Sequence, residues 1–142
     1  MIDVHCHLNF HSFKDDAAVV IQRARAAGVT KIINVGTKLD SSRQAIQLAN
    51  DYEDLFAIVG VHPHHADKIN EQSDSGSSPS MTEENTLEAN ELLPKDWIVQ
   101  LEEIARHPKV IGIGECGMDY YSYKSNGIVD PKLQREVFEA QI

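Results

Sequence analysis

Cysteine is scarce in this sequence, with only Cys6 and Cys116 present. Two thiols are too few for a disulfide framework, so the expected compartment is a reducing one, the cytoplasm. No apolar run approaches the roughly 18 residues that a membrane-spanning helix needs, and nothing has the pattern of a signal peptide, so no membrane partner is expected. Positive charge is also in short supply. Lys and Arg number 13 against 22 Asp and Glu, for a net charge of -9. That is the wrong sign for a protein that grips nucleic acid with its bulk surface. The acids are not evenly spread: Glu71, Asp74, Glu83, Glu84, Glu88, Glu91 and Asp96 face only Lys95 in their stretch, which leaves the rest of the chain close to neutral.

The 142 residues suffice for one domain with a sizeable core. Short apolar runs alternate with amphipathic ones. Ile2 to Cys6 reads as a strand. Ala17, Val20, Ile21 and Ala24 fall at helical spacing, and Gly28 stands where a helix end favours a left-handed residue. Lys31 to Gly36 reads as a second strand. Ser41-Ser42-Arg43-Gln44 has the form of a capping box ahead of a helix that carries Ala45, Leu48, Ala49 and Tyr52 on one face. Leu55 to Val61 is apolar throughout, as expected of a strand covered on both faces. The composition then turns small and polar, and residues 72–93 read as a flexible insertion with no clear buried stripe, removable without loss of the core. Trp97, Ile98, Leu101, Ile104 and Ala105 predict a third helix stopped near Pro108. Val110 to Glu115 predicts a fourth strand, and Pro131 to Ile142 a fourth helix with Leu133, Val137, Phe138 and Ile142 inward.

Repeated strand–helix alternation implies an α/β fold with a parallel sheet and right-handed crossovers. Four such units are half of a (β/α) barrel of the TIM type, where chemistry gathers at the carboxyl ends of strands. Polar residues collect at those ends here: His5 and His7, then His62 and His64, then Glu115. Strand alternation points His5 and His7 the same way, with Cys6 turned to the other face. A carboxylate directly after an apolar strand needs compensation, and a cation supplies it.

Three segments carry a family resemblance: MIDVHCHLNF at 1–10, GVHPHHA at 60–66 and GIGECGMDYY at 112–121. In that order they resemble the TatD family of metal-dependent deoxyribonucleases, a branch of the amidohydrolase-type barrels. The resemblance covers the chain apart from residues near 72–93. It implies a divalent-metal hydrolase that cuts phosphodiester bonds in DNA, with His5, His7 and Glu115 as ligands and Glu115 bridging two ions (Mg, Mn or Zn) and central to catalysis. His62, His64 and Tyr120 become candidate substrate contacts, while Asp119 suits a structural role. Family members complete the site with two further histidines and an aspartate on later strands, and a whole barrel needs roughly 250 residues. The chain is therefore expected to be a single domain, 1–142, equivalent to a barrel's first four units, nearly inactive alone and prone to self-association through open strand edges. The competing readings are another amidohydrolase or a polymerase-and-histidinol-phosphatase-type phosphoesterase, or an inactive half-barrel. Against the first pair stand GVHPHHA and GECGMDYY.

Overall fold

A computed structural model describes residues 1–72, 96–125 and 127–142. Its four strands, β1 (Ile2–Cys6), β2 (Lys31–Val35), β3 (Leu55–Val59) and β4 (Val110–Ile113), form one parallel sheet in the order β1-β2-β3-β4. The crossovers carry helices α1 (Ala17–Ala26), α2 (Leu39–Asn50) and α3 (Asp96–Ala105), and α4 (Pro131–Gln141) follows β4. Two 3-10 segments, His11–Phe13 and Pro63–Gln72, extend the loops after β1 and β3. Beyond Gln72 the expected insertion lies outside the described residues.

The helices cover the sheet with two apolar clusters. Ile21 of α1 meets Leu8, Ile32, Leu55 and Ala49 in one; Leu39, Ala45, Ala57, Val59, Trp97, Leu101 and Val137 join the other. The expectation of a β3 covered on both faces needs correction. Leu55, Ala57 and Val59 are buried, whereas Phe56 and Ile58 are only partly so, since the helices pack on one side. Phe56 is instead flanked by the ammoniums of Lys31 and Lys109, 5.5 and 5.3 Å from its ring centre.

Two local expectations also change. Helix α2 begins at Leu39, so Ser41 is not the residue before the helix but lies in its first turn. Its hydroxyl accepts from the backbone N–H groups of Thr37 (2.8 Å) and Lys38 (3.0 Å), performing the capping task from inside. On α4, Ile142 is exposed while Gln134 and Gln141 are buried. Val137 is buried and Leu133 packs on the core as expected, so Ile142 alone departs, and the two glutamines join the inward face because both serve backbone groups. Gln141 Oε1 accepts from Val61 N–H (2.7 Å) and its Nε2 donates to the Val61 carbonyl (3.1 Å). Gln134 pairs in the same manner with Asp119, at 2.7 and 2.9 Å.

The outer strands β1 and β4 are separated by two intervening strands, which in a flat sheet would hold their ends about 14 Å apart at roughly 4.8 Å per strand. Yet His5 Nε2 lies 3.2 Å from Glu115 Oε1. The sheet is therefore curled, as closure toward a barrel requires, and its curl converges the carboxyl ends of the strands. The edges remain open among the described residues, with Ile2, Val4, Ile111 and Ile113 exposed.

Candidate metal centre

β1 delivers its two histidines to one side, as the alternation predicted: His5 Nε2 and His7 Nε2 are 3.3 Å apart. Glu115 faces both, with Oε1 3.2 Å from His5 Nε2 and Oε2 3.8 Å from His7 Nε2. The three side chains each offer a donor atom within 4.8 Å of the others.

Each group is held by its own backbone surroundings. The His7 Nδ1 lies 2.9 Å from the Val35 carbonyl. A carbonyl only accepts, so Nδ1 carries a proton, and in the neutral ring Nε2 is then the nitrogen with the free lone pair. Phe10 stacks on the same ring, with centroids 4.5 Å apart and the planes at 17°. The His5 N–H donates to Asp3 Oδ1 (3.1 Å) where the β1–β2 register shifts. Glu115 is fixed through its chain: Gly114 N–H donates to Val59 O (2.8 Å), and Glu115 N–H to Gly36 O (3.3 Å). A side chain on Gly60 would place its Cβ 2.5 Å from the Gly114 carbonyl oxygen, so close passage of β3 and β4 requires glycine there.

This donor set fits a divalent cation. Two neutral imidazole nitrogens and a carboxylate are ordinary ligands for zinc and related metals. A 3.3 Å nitrogen separation also suits two donors at about 2.0–2.1 Å from one ion.

Residues 2–142 match the family model described as TatD related DNase. The chain belongs to this family. The 3'-5' ssDNA/RNA exonuclease TatD of Edwardsiella piscicida is 34% identical over 143 residues, which cover 100% of this chain and 44% of that protein. The uncharacterized metal-dependent hydrolase YabD of Bacillus subtilis is also 34% identical, over 100% of this chain and 45% of its own length. The crystal structure of YJJV, a TatD homolog from Escherichia coli, superposes with a TM-score of 0.70 at 28% identity, covering 99% of this chain and 44% of that one. A TatD family hydrolase from Entamoeba histolytica shares the fold, with a TM-score of 0.72 at 21% identity. The chain thus spans a little under half the length of the curated relatives it matches, and its parallel β/α architecture is that of a TatD barrel's first four units.

The remaining sequence candidates occupy the loops around the centre. His62 is half-buried, and its Nδ1 accepts from the His64 N–H (3.1 Å), so part of its role is to shape the loop. Burial pulls its pKa down, while the charge of Glu115 opposes that shift, which puts His62 within electrostatic reach of the centre. The His64 ring packs on Tyr123, with centroids 3.9 Å apart. Tyr120 is exposed, and the loop's internal contacts run through its neighbours: Asp119 accepts from the Tyr121 N–H (2.9 Å) and the Tyr123 hydroxyl (2.8 Å). Asp119 is therefore structural in this loop, as expected. Tyr123 was missed because nothing in its spacing ties it to His64. Burial raises the thiol pKa of Cys6 to about 11, and that of Cys116 in the same direction. Cys6 is half-buried and packs against the Ile21 cluster, on the face away from the centre.

Among the described residues, no helix is long and apolar enough to cross a membrane.

Proposed function

We propose that this chain carries the first metal-binding half of a phosphodiester hydrolase acting on DNA, with His5, His7 and Glu115 as cation ligands. The observation that carries the reading is the convergence of these three side chains within 4.8 Å at the carboxyl ends of β1 and β4. The nuclease names of relatives such as that of Edwardsiella piscicida support the substrate class. Both Glu115 oxygens face the histidine pair, and a carboxylate can also reach a second ion, so Glu115 as a bridge between two ions of Mg, Mn or Zn is the role the family resemblance implies. Bound divalent ions acidify water and neutralise charge on a phosphate.

The chain's own groups have defined tasks in that chemistry. In neutral His7 the Val35 carbonyl accepts from Nδ1–H, which leaves Nε2 as the ligand atom. Glu115 supplies the negative charge that holds cations, and those cations in turn make an acidic protein attractive to an anionic strand. His62 and His64 line the approach as phosphate contacts, and Tyr120 offers an exposed ring to a base. A cytoplasmic site of action fits the two unpaired cysteines. Within the amidohydrolase-type alternatives, the match over residues 2–142 favours the TatD reading above the others.

The test is a chimera that joins residues 1–142 to the remaining part of the Edwardsiella piscicida relative, assayed on end-labelled single-stranded DNA with manganese, magnesium or zinc. Cleavage that disappears in the Glu115→Ala variant is the expected result. A folded chimera that binds cation and leaves DNA intact would refute the reading. The 142-residue chain alone is expected to cleave little and to self-associate through Ile2, Val4, Ile111 and Ile113, which are exposed on the edge strands.

A further inference from the structure

We propose that the groove beside the metal centre, lined by Phe10, Asn9, Gln44 and Lys38, receives a base of the single strand whose backbone lies at that centre. The inference rests on the phosphodiesterase reading above and names how its substrate is held. Two clefts, of about 420 and 530 Å³, adjoin along Asn9, Phe10, His11 and Gln44 and together make up the groove. Each volume lies in the ordinary range for small-ligand sites.

Phe10 links the groove to the chemistry. Its ring stacks on His7, a candidate ligand, and is 40% exposed. An apolar ring left open beside a metal ligand gives a base a surface on which to stack, and such stacking tolerates any base because each has a π-face. The surrounding chemistry matches a planar heterocycle on an anionic backbone. Gln44 is exposed and its amide both donates and accepts. Lys38 stands at one end of the groove and Lys14 at the other, as partners for phosphates. Asp40 also lines it, but lies 3.7 Å from the guanidinium of Arg43, which offsets its charge; Asp51 adds a second acid at the Lys14 end.

Two residues that line the groove also carry buried polar atoms that the fold leaves unpaired. Asn9 donates its amide to Ser41 O (2.9 Å), yet its Oδ1 is buried without a hydrogen-bond partner among the described residues. The same is true of Nδ1 of His65, at the Lys38 end. Buried polar atoms are seldom left unpaired, and those that are call for an explanation in function.

The experiment measures binding of fluorescent hexathymidylate, and of an abasic strand of equal length and charge, to the 142-residue chain in manganese buffer. A parallel calorimetric titration measures manganese itself. The intact chain should prefer hexathymidylate over the abasic strand by at least about fivefold. Phe10→Leu, which keeps apolar packing on His7, and Gln44→Ala should each remove most of that preference while manganese affinity stays within about twofold. Equal affinity for the two strands, including no binding of either, would overturn the proposal, as would a preference that survives both substitutions. The strand comparison judges the groove and the manganese titration judges the centre, so manganese bound with no base preference sinks only the former.

Discussion

The His7 ring is tied by Nδ1 to the carbonyl oxygen of Val35 at 2.9 Å, across the β1–β2 pair. One hydrogen bond therefore decides which nitrogen of the second histidine faces Glu115. Such partners fix the tautomer and ring orientation of a metal-binding histidine before any ion arrives. The expected outcome is that, without metal, nitrogen-15 NMR finds neutral His7 protonated on Nδ1. An Nε2–H tautomer would show that the ring is not preset.

Gly60 controls the position of Glu115 from the neighbouring strand. An added Cβ would meet the Gly114 carbonyl oxygen at 2.5 Å and Gln141 Oε1 at 2.9 Å, and the first of these is backbone. Gly60→Ala should shift the Gly114–Glu115 segment, lowering cation affinity by about tenfold or more and stability by about 1–3 kcal/mol. Gly112→Ala is the control, since its Cβ would meet Ile58 at an ordinary 3.5 Å. Calorimetric titration and urea unfolding of both variants check the contrast.

Gln141 bridges the end of α4 to the segment after β3. Replacing it with leucine keeps the bulk and removes both partners of the buried Val61 backbone, whose N–H and carbonyl it serves at 2.7 and 3.1 Å. Two unsatisfied groups should cost about 2–4 kcal/mol in urea unfolding. A change near zero would mean that Val61 finds other partners.

His65 gives the protein an acid-sensitive step. Burial, reinforced by His64 and His62, lowers its pKa from 6.5 to about 4. The unfolded chain therefore binds this proton at a higher pH than the folded one does. Stability from this group is complete above pH 6.5 and is lost as pH falls toward about 4. His65→Gln should flatten the dependence of the urea midpoint in that window, by on the order of 2 kcal/mol. Parallel curves for both proteins would contradict the assignment.

Much of this was legible because strands and ligands share a short period. In Ile2–Cys6 and Val110–Ile113 the apolar runs mark the strands, and the residues at their ends mark the site. The supports of the site were not legible. The Val35 carbonyl is backbone, which leaves no trace in residue identity, and the need for glycine at 60 arises only once Gly114 lies against it. Apolar periodicity pointed to Ile142 on α4, whereas burial there follows backbone satisfaction through Gln134 and Gln141. Ser41 had the right chemistry for a cap but the wrong position, because a hydroxyl inside the first turn reaches the same N–H groups.

If His5, His7 and Glu115 together hold one divalent cation, manganese titration of the 142-residue chain reads that binding. Calorimetry should find saturable binding, with His5→Ala, His7→Ala and Glu115→Gln each weakening it by at least about tenfold, and with Cys116→Ser leaving it unchanged. Equal manganese binding by the intact chain and all three ligand variants, or none by the intact chain, would mean that these three side chains do not form a cation site.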